Sequence, residues 1–134
     1  GGTGNDQLYG GVGVDTIHGG GGDDNYYWAA GDGNDIIYEF HGSTDTLNMT
    51  GGLTAADVRI TSDGTDLSIE IGSELITLKD HLREDGAGIL RYQIDQIKFD
   101  DGSIIDLATT LILYILLLAI QNVRIPRTRC FRYF

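Results

Sequence analysis

The chain opens on a nine-residue period. Residues 1–9 read GGTGNDQLY, 10–18 read GGVGVDTIH and 19–27 read GGGGDDNYY; a fourth copy, AGDGNDIIY, starts at Ala30 after two extra residues. Acids recur at Asp6, Asp15, Asp24 and Asp35, with spacings of 9, 9 and 11, and a large apolar residue follows each by two places: Leu8, Ile17, Tyr26 and Ile37. Three consecutive registers of G-G-x-G-x-D-x-U-x are hard to reach by chance. A period of this kind means stacked units that cannot bury an apolar face alone and must do so against their neighbours.

The pattern resembles the calcium-binding nonapeptide repeat of RTX proteins, which are exported bacterial toxins, proteases, lipases and adhesins. The resemblance implies that each nonapeptide is half a coil of a parallel β-roll, a six-residue turn followed by a three-residue strand. Glycine admits positive φ, so successive turn carbonyls can face a common point. Together with a carboxylate they make a hard oxygen cage, which suits Ca²⁺ with about six to eight oxygen ligands better than the tighter octahedron of Mg²⁺. The expected ligand set is Asp6, Asp15, Asp24 and Asp35 with the glycine turns at Gly2, Gly4, Gly11, Gly13, Gly20 and Gly22. Each strand would turn its apolar residue inward, building a narrow ladder.

With two nonapeptides per coil, Asp6 neighbours Asp24 and Asp15 neighbours Asp35. Strands stack ~4.8 Å apart, and like charges about 5 Å apart repel by roughly 1–3 kcal/mol per pair. The glycine-rich turns add a large ordering entropy. The repeat zone is therefore expected to fold only with calcium. Copy four departs from the pattern at Ala30, and the insertion lengthens the strand before it to Asn25–Ala29. A fifth turn, Gly42-Ser43-Thr44-Asp45-Thr46-Leu47, keeps only Asp-x-Leu. The chain starts in register, with no signal peptide, so upstream repeats of a longer parent chain are expected as partners.

From Asp45 the period changes. Val58–Thr61, Leu67–Ile71, Leu75–Leu78, Ile94–Phe99 and Ser103–Ile105 read as short strands. Asp63-Gly64, Gly72-Ser73 and Asp100-Asp101-Gly102 read as the turns between them, and Thr54–Asp57 as a capped helical turn. The stretch from about Asp45 to Leu107 resembles the haemolysin-type calcium-binding related domain. An open roll exposes an edge and an apolar end, so a terminal unit with a polar outer face is needed, which an antiparallel β unit can supply.

Charge and composition exclude other classes. The net charge of −11 argues against nucleic acid, whose binders carry a basic patch. A single cysteine, Cys130, excludes an internal disulfide or a cysteine zinc cluster. No G-x-S-x-G, H-E-x-x-H or Walker loop is present. His18, His41 and His81 read as surface or locally bonded groups, Asp23-Asp24 as a repeat step and Asp100-Asp101 as a turn, so no catalytic residue and no enzyme are expected. Tyr26-Tyr27-Trp28 reads as Tyr26 pointing inward with Tyr27 or Trp28 against the cap. The alternative is a sugar-stacking platform in a calcium-dependent polysaccharide-binding module.

All twenty acids lie at or before Asp106, beside five basic residues, while residues 107–134 carry four arginines and no acid. The run Leu111–Ile120 is more often a buried apolar helix than a membrane span, and Asp106–Asn122 only reaches the lower limit for one; with the basic end after it the tail looks foreign to the family, the alternative being an apolar helix packed on the capping sheet. The expected architecture is all-β: a calcium-binding parallel β-roll at 1–44, a small antiparallel β capping unit at 45–107, and a short C-terminal apolar helix with a basic tail at 108–134. The resemblance implies a non-catalytic calcium-ion module of a secreted, extracellular bacterial protein, folding after type I secretion.

Overall fold

The computed structural model describes residues 1–40, 44–83 and 93–107, together with the backbone of 131–132. The helix expected over Leu111–Ile120, His41, and Gly42 and Ser43 of the fifth turn lie outside the described residues. What is described is mostly β-strand, with a 3₁₀ turn at Ala55–Asp57 and Leu107 in helical conformation.

The repeat zone alternates between two edges. Strands β2 (Gln7–Tyr9), β5 (Asn25–Ala29) and β7 (Thr46–Thr50) pair in parallel, and β3 (Thr16–His18) pairs in parallel with β6 (Asp35–Tyr38). Two-residue strands β1 (Gly2–Thr3) and β4 (Gly20–Gly21) pair the turns themselves. Register follows the repeat: Leu8 lies opposite Tyr26 and Tyr26 opposite Leu47, while Ile17 lies opposite Ile37. Side chains alternate across a strand, so Tyr26, Trp28, Leu47 and Met49 are buried while Tyr27 turns outward and stacks on Tyr9, their ring centroids 4.5 Å apart. His18 is exposed and stacks on Tyr38 on the other outer face.

Beyond β7 the chain runs β8 (Val58–Ser62), β9 (Leu67–Ile71) and β10 (Glu74–Lys79) as an antiparallel meander, then β11 (Gln96–Phe99) and β12 (Ile104–Asp106) as a hairpin. Thr54 enters this segment with its amide and hydroxyl both donating to the Asp57 carboxylate, at 2.8 and 3.1 Å. Strand β10 pairs in parallel with β6 and β11 pairs in parallel with β7, so each continues one ladder. Leu78 thus stands beside Ile37, and Ile97 beside Leu47. The buried cluster runs unbroken from Tyr26 to Leu107 through both halves. Strand β13 (Phe131–Arg132) adds antiparallel to β8.

Candidate metal centre

Stacking the repeats places their acids in register. The Asp6 amide donates to Asp24 Oδ1 at 2.9 Å, and the Asp15 amide donates to Asp35 Oδ1 at 2.9 Å. On the first edge the ladder runs further than the nonapeptides do. The Asp24 amide donates to Asp45 Oδ1 at 2.8 Å, and the Asp45 amide to Asp95 Oδ2 at 2.8 Å. Asp24, Asp35, Asp45 and Asp95 thus each use one oxygen to satisfy the turn before them.

The other oxygens differ. Asp6 Oδ2, Asp15 Oδ2 and Asp24 Oδ2 are buried and accept no hydrogen bond. A carboxylate oxygen hidden from water without a donor is costly unless a cation meets it. The turns around these oxygens are glycine for a spatial reason. Gly20 and Gly22 have φ of 101° and 115°, and a methyl on either would strike the carbonyl oxygen of Gly2 or Gly4. Gly33 meets the Gly13 carbonyl in the same way on the second edge. Oxygens of backbone and carboxylate are the donor set that a hard divalent cation takes, so the residues present fit calcium.

The sequence-predicted pairs Asp6/Asp24 and Asp15/Asp35 are therefore brought together, with Gly2 opposite Gly20. Gly11 and Gly13 stand in the second-edge turn, where the Gly13 amide donates to the Asp32 carbonyl at 2.8 Å. Three acids escape the nonapeptide spelling. Asp45 keeps only the Asp-x-Leu of a fifth turn, and Asp95 belongs to Asp-Gln-Ile, a lone Asp-x-U triplet whose register sequence spacing does not reveal. Glu39 stands where a fifth copy would have its first glycine and carries no sequence signal at all. Burial pushes the carboxyls of Asp35, Glu39 and Asp95 up from the ordinary range, and lifts Asp45 to about 7. Burial, and then the hydrogen bond that Tyr26 donates to Glu39, pushes the Tyr26 phenol up as well.

The second edge ends differently. Strand β10 puts Ile76 opposite Asp35, and the Glu74 carboxylate accepts the amides of Gly31 and Gly33 at 2.8 and 2.7 Å. Asn34 Oδ1 accepts the Leu75 amide at 2.9 Å. A side chain thus closes the last turn where another turn would otherwise stack.

Comparison with known proteins agrees with this geometry. The family model for the RTX calcium-binding nonapeptide repeat matches residues 1–27. The chain carries RTX repeats. A second model, for the haemolysin-type calcium binding protein related domain, matches residues 57–109. A similar protein is the iron-regulated protein FrpA of Neisseria meningitidis serogroup C, 38% identical over 82 residues. That alignment covers 58% of this chain and 7% of FrpA. RTX haemolysin-type repeats bind calcium ions, and calcium is the cofactor of this chain. Both matched families are calcium-binding repeat domains rather than enzyme families. Among the described residues, no helix is long and apolar enough to cross a membrane.

Proposed function

We propose that the two parallel ladders form a calcium-stabilised β-roll that works as a non-catalytic folding module of an exported bacterial protein. The observation that carries this reading is the set of buried, donorless oxygens on Asp6, Asp15 and Asp24, each at the repeat position that the RTX pattern reserves for acid. Asp6 with Asp24 and Asp15 with Asp35 would hold the ions, with the turns at Gly2, Gly4, Gly11, Gly13, Gly20 and Gly22 supplying carbonyl oxygens. When bound, calcium supplies positive charge that neutralises the ladder and ties adjacent turns together. The protein's own contribution is the register that stacks the acids and the glycines that let the turns touch.

On this reading residues 1–44 are the roll and 45–107 the unit that closes it, with 108–134 a separate tail. Strands β2 and β3 are the outer strands of their sheets, and they offer edges to further repeats of a longer chain. Low cytosolic calcium leaves such a ladder repelling itself and unfolded, which suits passage through a type I secretion channel. Extracellular calcium then folds it. Extracellular-type sites bind with dissociation constants of about 10⁻⁴–10⁻³ M, and a ligand at 100 times that level stabilises by about 2.7 kcal/mol per site. Hydrogen exchange of the intact chain with and without calcium tests this. Chelator is expected to strip protection from residues 1–40 while β8–β10 lose less; equal protection of 1–40 in both conditions refutes it.

A further inference from the structure

Asp24, Glu39 and Asp45 are 0%, 2% and 1% exposed, and one carboxylate oxygen from each lies within 4.8 Å of the others. Glu39 arrives there by register. His18 pairs with Tyr38, and the Gly19 amide donates to the Tyr38 carbonyl at 3.2 Å, so Glu39 occupies the step that Gly19 occupies one coil earlier. Its side chain folds inward and is held at both oxygens: the Phe40 amide donates to Oε1 at 2.7 Å and the Tyr26 hydroxyl donates to Oε2.

Asp24 Oδ2 is buried and without any donor, and it converges on this group with Glu39 Oε2 at Gly19. Gly19 marks the point of convergence. A methyl there would overlap the Tyr26 hydroxyl, Glu39 Oε2 and Asp24 Oδ2 together. Among the described residues the ion pairs are Arg59–Glu70, Lys79–Asp66 and Arg83–Asp80, none of them with this group. Buried carboxylates without a protein cation are strongly unfavourable as anions, whereas a hard divalent ion takes an all-oxygen set of this kind.

We propose that Asp24, Glu39 and Asp45 form a terminal calcium site of their own composition, in which Glu39 replaces the first glycine of a fifth repeat and brings a third carboxylate to the ion. A repeat site relies on turn carbonyls from two glycine-rich turns. The fifth turn has Glu39 where the earlier copies on this edge have Gly1 and Gly19, and Glu39 adds a side-chain oxygen there. Tyr26 is the positioning residue, fixing Glu39 from inside the roll. The site would pin the end of the repeat zone to strand β7 and so to the unit that closes it.

This assignment rests on the calcium reading of the repeats, and its test separates the two. The probe is calcium alone, added to the chelator-treated full chain, with bound ions counted by equilibrium dialysis and melting followed with and without calcium. Glu39→Gln is expected to hold one ion fewer per chain than wild type, to melt no lower than wild type in chelator, and to melt lower in calcium. That reversal between conditions is one that a merely structural glutamate would not give. Tyr26→Phe is expected to keep the ion count but require several-fold more calcium. An unchanged ion count in Glu39→Gln overturns the terminal site and leaves the repeat sites standing. Equal destabilisation of Glu39→Gln in both conditions likewise overturns it, and wild type holding no calcium overturns both readings.

Discussion

Two aspartates of the same residue type serve different ends. Asp24 presents one oxygen to the Asp6 amide and leaves the other without a donor, whereas Asp63 accepts the Thr65 and Asp66 amides at 2.9 and 2.7 Å inside a hairpin turn. Asp24→Ala should therefore weaken calcium binding by about tenfold or more, the loss of a charged ligand contact of ~1.5–3 kcal/mol. Asp63→Ala should leave the calcium titration where it was and lower only the melting temperature. His81 shows a different use of burial. Its ring is fully buried, Nδ1 accepts the Ile94 amide at 3.4 Å, and burial depresses its pKa to about 3. The unfolded value is about 6.5, so below that pH the unfolded chain binds the proton and the folded chain refuses it. Stability from this group is full above pH ~6.5 and falls as pH drops toward 3, by up to about 1.4 kcal/mol per pH unit. Denaturant titrations at constant saturating calcium should show that acid limb in wild type. His81→Gln should flatten it, and an unchanged slope would place the acid sensitivity elsewhere.

Turns and strands in the repeat zone are bound to different partners, and this sets their tolerance. A turn such as 19–24 is stacked directly on the turn before it: the Gly2 amide donates to the Gly19 carbonyl at 3.0 Å and the Gly4 amide to the Gly21 carbonyl at 2.9 Å. At Gly22 an added methyl meets backbone that cannot swing away, and φ is 115°. Gly52 has φ of 85° but open space around its Cα. Both substitutions by alanine incur the left-handed backbone penalty of about 1–2 kcal/mol, and only Gly22→Ala also prises two coils apart. Gly22→Ala is expected to cost at least twice as much stability as Gly52→Ala in calcium melts, and to shift the calcium midpoint upward where Gly52→Ala does not. Equal effects would mean that turn stacking contributes little.

For the molecule as a whole, repeat and closing unit share one apolar interior. The inward ladder Leu8–Tyr26–Leu47–Ile97 crosses from nonapeptides into the hairpin without a break, as Ile17–Ile37–Leu78 crosses into the meander. Burial deepens along it, from half-buried Leu8 to fully buried Leu47 and Ile97. The tail touches this body at β13, paired to β8 on the sheet edge remote from the repeat turns. Every acid of the two carboxylate ladders precedes Gln96. Deleting Leu111–Phe134 should therefore leave the number of bound calcium ions unchanged in calorimetric titration while uncovering β8 as an edge. A lower ion count in the truncated chain would show that the tail supports the roll.

The nine-residue spelling was enough to place Asp6 beside Asp24 and Asp15 beside Asp35, because register in a stacked repeat follows from period alone. The lengthened strand Asn25–Ala29, the Leu67–Ile71 strand and the inward turn of Tyr26 were legible for a related reason: alternation and turn residues act over a few neighbours. What lay beyond reach was every contact between segments that do not share a period. Asp95 joins the acid ladder across 50 residues of chain, and Glu74 closes the last turn on the other edge across 41 and 43. The cap reads in sequence as a separate antiparallel unit, since hairpins announce themselves by their turns. Only the folded chain decides that β10 and β11 enter the parallel ladders, where two strands with apolar inner faces cover an open edge that hairpins alone would leave exposed. Glu39 is the sharpest case. In sequence it is one acid after a strand; its chemistry exists only because stacking sets it against Asp24, Asp45 and the hydroxyl of Tyr26.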